Sequence, residues 1–287
     1  MKYKRALQLN YIIMILSVVL YIGLIWRFEI GRYVGACVLG VMISMHVFFA
    51  IGIWTKKHTI VDFAWGLSFV IVGHTSFWMR SEHTGQQALV LAMVTIWGLR
   101  LASYIGIRSR GQEEDERYTY MRKSFEKRAY ALLNSYLRIY LMQGLTALII
   151  AAPILMINCS EKLGISWLYW LGTAVWVFGF MWEVVGDHQL KRFLNKEENR
   201  GHVMTKGLWK YTRHPNYFGE ATLWWGIFLI ALNVKGGWIT FFGPFLLTFM
   251  LLHVSGVPLA ENMLRDFPEF GEYKKRTSKF IPWFPKK

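Results

Sequence analysis

The chain has 287 residues, 54% of them hydrophobic, with 14 Trp, 14 Tyr and 20 Phe and a mean hydropathy of +0.28. A soluble globule of this length does not carry so much apolar and aromatic surface, so the composition points to the bilayer. A net charge of +15 invites nucleic acid as a partner, but the placement of that charge excludes it.

A span needs about 20 mostly apolar residues. Such runs are expected at 9–26, 33–54, 61–79, 88–107, 136–157, 165–186, 217–233 and 238–257. They predict an all-α polytopic helical membrane protein with about seven or eight transmembrane helices, forming one integral membrane domain over 1–287. The last two runs are separated only by Asn233 to Gly237 and form a tight hairpin. Met1 to Arg5 leads into an apolar run long enough to remain as an anchor, so no cleavable signal peptide is expected. With the N-terminus in the cytoplasm, 27 of the 33 Lys and Arg fall in the two tails and the inner loops, and 5 in the outer loops. Arg100 lies inside a span. That asymmetry follows the positive-inside rule and puts both termini in the cytoplasm. The basic character is topological, and no nucleic acid is expected.

Cys37 falls in a span and Cys159 in an outer loop, so neither a disulfide framework nor a metal site is expected. Ionisable groups inside a bilayer are costly and mark function by default. Asp62 opens the third span. Arg100, Tyr104 and Arg108 form a stripe at i, i+4, i+8 on the fourth. Glu183, Asp187 and Lys191 form another at the inner end of the sixth. Glu220 sits in the first turn of the seventh, and His253, Val257 and Glu261 share a face at the end of the eighth. All lie in the cytoplasmic half, which predicts a polar pocket open to the cytoplasm. Snorkelling to the interface is the competing reading for Arg100. For Glu183 and Asp187 it is a plain interface role. His46 and His74 read as packed structural residues, and Glu113 to Arg117 as a solvated loop.

The richest segment is Gly207-Leu-Trp-Lys-Tyr-Thr-Arg-His-Pro-Asn-Tyr-Phe-Gly-Glu220. It groups Lys210, Arg213 and His214 with two tyrosines and an asparagine, and Pro215 then opens an apolar run. A basic segment ending at a helix N-terminus is suited to an anion. Arg108, Arg110, Arg117, Lys191, Arg192, Arg213 and Arg276 together offer enough charge for several phosphates. Trp209, Tyr211, Tyr217 and Tyr273 offer flat faces for a nucleobase. The inventory reads as a nucleotide cofactor on the cytoplasmic side and a lipid-like substrate arriving through the bilayer. No Gly-x-Gly-x-x-Gly or Walker loop is present, nor a His/Cys metal signature.

Gly207–Glu220, Asp187-His-Gln-Leu-Lys191, and the tail from Ser255 to Glu261, Tyr273 to Thr277 and Phe280 to Pro282 resemble the C-terminal domain of steroid 5-alpha-reductases. Val61-Asp-Phe-Ala-Trp-Gly66, Trp97-Gly-Leu-Arg-Leu101 and Glu114-Asp-Glu-Arg-Tyr118 are similar to the N-terminal half of the DUF1295 branch. The resemblance covers about 60–287. It implies a helical membrane enzyme, in a bacterial inner membrane, that binds NADPH from the cytoplasm and reduces a C=C bond conjugated to a carbonyl. Asn216, Tyr217 and Glu220 match the family's Asn-Tyr-Phe-Gly-Glu, with the first two at the cofactor. Asp187 and Tyr273 match further cofactor contacts, and Arg100 matches a fourth-span arginine. Lys191, Trp209, Arg213, His214, Glu261 and Arg276 complete the candidate cofactor set. Asp62, Arg100, Tyr104 and Glu220 form the candidate catalytic set. Asp62 (protonated), Tyr104, Tyr217 or Arg100 would serve as donor to the substrate oxygen. One departure is that Trp97 stands where steroid-reducing members carry a carbonyl-polarising tyrosine.

Two other functions compete. Isoprenylcysteine carboxyl methyltransferases share Arg-His-Pro-x-Tyr-x-Gly and use it for S-adenosylmethionine, so methyl transfer to a lipid or prenylated thiol is the first rival. The arginine inventory favours a phosphorylated cofactor over it. A lipid carrier is the second, but it would spread polar residues through the full membrane depth.

Overall fold

A computed structural model of the chain describes residues 30–109, 113–114, 118–119, 131–161 and 164–286, with scattered positions between 12 and 27. Most of the expected first span, and the candidate cations Arg110 and Arg117, lie outside the described residues. The chain is an all-α polytopic integral membrane protein. Among the described residues five helical segments are long and apolar enough to cross a bilayer: Gly31–Thr55, Ile60–Trp78, Gly85–Ser109, Trp167–Leu194 and Gly237–Leu264. A bent pair, Leu132–Ile150 with Ala152–Cys159, makes a sixth.

Two compact units divide the chain. The N-terminal unit, Ser17–Gly164 with Val234–Thr240, is built on α1 (Gly31–Thr55), α2 (Ile60–Trp78) and α3 (Gly85–Ser109). Helix α1 ends where Lys56 turns left-handed (φ 57°) and its N–H bonds back to Gly52 and Ile53. Helices α2 and α3 meet backbone to backbone at Gly66 and Gly98. A Cβ on either would lie 2.7 Å from the other's carbonyl oxygen. Trp97 is buried beside this contact, edge-on to Phe69 at 5.2 Å.

The run expected as one span at 136–157 is divided. It consists of α4 (Ala131–Ser135), a π-helical stretch (Tyr136–Leu141), α5 (Met142–Ile150) and α6 (Ala152–Cys159). The bend of 49° falls at Ala151, two residues before Pro153, which lacks the N–H an unbroken helix needs.

The C-terminal unit, Ile165–Asn233 with Phe241–Lys287, is dominated by α7 (Trp167–Leu194) and α8 (Pro215–Ala231). Ser166 caps α7, its Oγ accepting from Leu168 N at 3.1 Å. Pro215 starts α8 at the position where a missing N–H costs nothing. The two helices touch along glycines spaced by seven. Gly172 faces Gly226, Gly179 faces Gly219, and Gly186 faces the start of α8, with a built Cβ within 3.1 Å of opposing backbone at each. At 17 residues, α8 is about 25 Å long, short of the roughly 30 Å hydrocarbon core. A 3-10 turn (Gly237–Phe241) leads into α9 (Phe242–His253). The helical path then breaks at Val254–Gly256 before α10 (Val257–Leu264) and α11 (Phe270–Arg276).

Candidate functional site

In the C-terminal unit the segment before α8 is locked from below. Gly207 has φ +62°, and a Cβ there would meet the Gln189 amide at 2.5 Å, so only glycine fits. Gln189 Oε1 in turn accepts from Leu208 N at 2.9 Å. Trp209 is buried, its Nε1 donating to Gly186 O at 3.1 Å. The Trp209 carbonyl accepts from Tyr273 Oη at 2.6 Å. Burial pushes the Tyr273 hydroxyl pKa up, so that tyrosine remains a donor at neutral pH.

Arg213 is buried and turned inward. Its Nε lies 2.8 Å and its Nη2 2.7 Å from Glu261 Oε1. Its Nη1 donates to Lys274 O at 3.1 Å and Thr277 O at 2.6 Å. Glu261 Oε2 also meets Lys274 Nζ at 3.1 Å. The anion facing Arg213 is thus Glu261 of its own chain. The tail continues the lock: Arg213 N donates to Ser278 O at 2.9 Å, Thr212 Oγ1 to Phe280 O at 2.8 Å, and Trp283 N to Tyr211 O at 2.9 Å.

The His214 ring stacks on Tyr217 with centroids 5.6 Å apart. Its Nε2 is 3.5 Å from Glu261 Oε1, at the outer limit of reach and without hydrogen-bond geometry. Burial lowers the His214 pKa more than Glu261 raises it, so the imidazole is neutral at pH 7.

The close approach at Gly186 brings Asp187 of α7 to Asn216 of α8. Asn216 Nδ2 donates to Asp187 Oδ1 at 3.1 Å. A carboxylate accepts only, so it fixes which end of the amide faces it. Asn216 Oδ1 therefore points away, and it is buried without a partner among the described residues. Such an acceptor costs about 1–3 kcal/mol unless something donates to it. Glu183 is buried one turn before Asp187. Tyr217 and Glu220 are half-buried in the first turns of α8, while Lys191 and Arg276 are exposed.

The N-terminal unit holds a second polar group. Asp62, in the first turn of α2, accepts from Tyr118 Oη at 2.5 Å. Gln143 Nε2 donates to the same phenol oxygen at 3.1 Å. Nearby, His58 Nδ1 lies 3.0 Å from Tyr140 Oη, and His58 N donates to Glu114 Oε1 at 2.8 Å. Tyr118 is buried. Arg100 and Arg108 flank the Tyr104 ring at 5.4 and 5.7 Å, a cation–π stack along one helix face.

A family model described as "Protein of unknown function (DUF1295)" matches residues 48–277. The chain belongs to the DUF1295 family. It is 25% identical over 279 residues to an uncharacterized protein of Schizosaccharomyces pombe, covering 85% of this chain and 79% of that one. It is 30% identical over 112 residues to human 3-oxo-5-alpha-steroid 4-dehydrogenase 1, covering 39% of this chain and 41% of that protein. It is also 30% identical over 122 residues to the steroid 5-alpha-reductase DET2 of Arabidopsis thaliana, covering 41% and 44%. The chain therefore spans less than half the length of the steroid enzymes it matches. No solved structure matches it.

The candidate residues of this DUF1295 chain fall into two groups. Asp187, Lys191, Trp209, Arg213, His214, Asn216, Tyr217, Glu220, Glu261, Tyr273 and Arg276 lie in the C-terminal unit. Asp62, Arg100 and Tyr104 lie in the N-terminal unit. Tyr118 was not among the expected catalytic or cofactor residues. Its signal was present in the quoted Glu114–Tyr118 string, but its partner lies 56 residues earlier.

Proposed function

We propose that the protein is a membrane-embedded, NADPH-dependent reductase of a C=C bond conjugated to a carbonyl in a lipid-like substrate. A 3-oxosteroid, or an isoprenoid or acyl enone, fits the description. The observation that carries this reading is the Asp187–Asn216 pair. Asp187 fixes the Asn216 amide so that a buried carbonyl oxygen faces away without a donor. The carboxamide N–H₂ of a nicotinamide is a donor of the right kind. Tyr217, beside Asn216, is a contact that the resemblance assigns to the cofactor, and the exposed Lys191 and Arg276 add charge suited to its phosphates. The steroid-reductase names of the two shorter matches support the same class of chemistry.

NADPH, when bound, would supply the hydride to the beta-carbon, and the alpha-carbon would take its proton from a side chain or water. The protein's share is an electrophile for the carbonyl oxygen that gains charge. Tyr118 and Asp62 suit that task. The Tyr118 O–H that Asp62 accepts is the donor that a substrate oxygen gaining charge would take over. Gln143 holds the phenol oxygen in place throughout. Tyr118 takes the proton-donor role that Trp97, a buried indole able to donate a hydrogen bond but not to give up its proton, cannot fill. The basic loops and both termini face the cytoplasm in this reading, in a bacterial inner membrane.

The test uses the full chain in detergent. Intrinsic tryptophan fluorescence is titrated with NADPH and separately with S-adenosylmethionine, and NADPH consumption is then followed with a 3-oxo-4-ene steroid or an enone lipid. Saturable quenching by NADPH and substrate-dependent oxidation are expected. Quenching by S-adenosylmethionine alone would replace the reductase with a methyltransferase.

A further inference from the structure

At the C-terminal end of α7 the structure forms an open groove of about 320 Å³. Its lining includes Arg192, Phe193, Lys196, Met204, Lys206 and one carboxylate, Glu198. Lys196 is already paired with Glu198 at 2.9 Å. Arg192 and Lys206 make no ion pair among the described residues, which leaves two positive charges for whatever enters. Phe193 and Met204 give the same groove an apolar wall. Two of the last four carbonyls of α7, which would repel an anion, are engaged by backbone and side-chain donors. Lys191 O accepts from Asn195 N at 3.1 Å, and Phe193 O accepts from Lys196 N at 3.3 Å and Asn199 Nδ2 at 2.8 Å.

The helix itself sets the depth. Trp167 and Trp170 are exposed at its other end, at 70% and 62%. Exposed tryptophans of this kind sit at the membrane–water interface. From them to Arg192 the helix rises about 33–38 Å. A hydrocarbon core is about 30 Å thick, and about 40–45 Å with both headgroup layers. Arg192 therefore falls at headgroup level, and Leu194, 66% exposed, faces outward just beyond it.

We propose that this groove binds the phosphate ester of an anionic membrane phospholipid, with Arg192 and Lys206 on the phosphate and Phe193 and Met204 against the first methylenes. Two cations match one phosphodiester with charge to spare, and a basic pocket at the end of a spanning helix suits such headgroups. The site is independent of the reductase reading, because lipid retention requires neither cofactor nor turnover.

The experiment is native mass spectrometry of the full chain released from mixed micelles of phosphatidylglycerol and phosphatidylcholine. The expected result is about tenfold preferential retention of phosphatidylglycerol, lost in R192Q/K206Q and kept in R192K/K206R. The single variants R192Q and K206Q, each expected to lose part of the preference, carry the test if the double variant does not fold. Equal retention of the two lipids by the unaltered chain overturns the proposal. So does a preference that survives in R192Q/K206Q. Displacement of the lipid by soluble sn-glycerol 3-phosphate or by NADPH would assign the groove to a soluble phosphate ester and overturn the lipid assignment.

Discussion

Gly179 of α7 and Gly219 of α8 lie backbone against backbone: a methyl on Gly179 would stand 2.7 Å from Gly219 O, and one on Gly219 would stand 2.6 Å from Gly179 O. The obstacle is main chain, which cannot rotate away, so the helices must separate. G179A and G219A should each cost about 1–3 kcal/mol or more. G271A is the control, since nothing lies within 4 Å of its new methyl. Gly271 is in a helix, and alanine there should be neutral to slightly stabilising. Thermal unfolding of the three variants in detergent checks the contrast.

The same helix contact delivers Asp187 to Asn216, so their substitution should act on ligand affinity more than on folding. N216A removes the orphaned acceptor and should weaken NADPH binding about tenfold, the worth of one hydrogen bond to a buried amide. D187A frees the amide to rotate and should weaken binding by a similar factor. Equilibrium fluorescence titration measures both. Unchanged affinity in both variants would remove Asn216 from the cofactor contacts.

Tyr118 should matter to turnover and not to cofactor affinity. Y118F deletes the hydroxyl that Asp62 and Gln143 both engage. A positioned acid of this type contributes about 10²–10⁴ in rate, so kcat should fall by at least about a hundredfold while NADPH quenching is retained. Full activity in Y118F would return the donor role to Tyr104, Tyr217 or Arg100.

Glu261 holds together three cationic or potentially cationic groups. E261Q leaves Arg213 buried with only neutral partners, and breaking one side of a buried ion pair costs about 3–5 kcal/mol. Low yield of folded E261Q, measured by size-exclusion of detergent-solubilised protein, is the expected outcome. A control at the exposed pair Lys275–Glu272, E272Q, should leave the yield unchanged.

His214 gives the fold an acid-sensitive component. Its pKa is lowered by burial, so below about 6.5, the ordinary histidine value, the unfolded chain binds a proton that the folded chain refuses. Stability then rises with pH through that region and falls on acidification. The unfolding midpoint should drop between about pH 7 and pH 5.5, and H214Q should flatten that slope. A slope identical in H214Q would assign the sensitivity to another group.

The fold class and most spans were legible because long apolar runs and the Lys/Arg asymmetry are local signals. The division of 136–157 was half legible: Pro153 stood in the sequence, but the π-helical stretch before it depends on packing. The heptad of Gly172, Gly179 and Gly186 was also visible and went unread. Arg213 looked like a phosphate ligand because a sequence shows a charge without its partner, and Glu261 lies 48 residues on. The Asp62–Tyr118 bond was hidden for the same reason. Charged side chains advertise chemistry, but long-range pairing decides whether the charge faces in or out.

The tail threaded along Tyr211–Arg213 has a consequence for biogenesis. Thr277 O, one of the groups that hold Arg213, is made 64 residues after it. During synthesis the α7–α8 hairpin can enter the bilayer well before that strap exists. The 207–214 segment must therefore stay in an unfinished form until residues 277–283 are made. Chains arrested before that point would be inserted yet incompetent, and a quality-control protease would find them by the exposed 207–214 stretch.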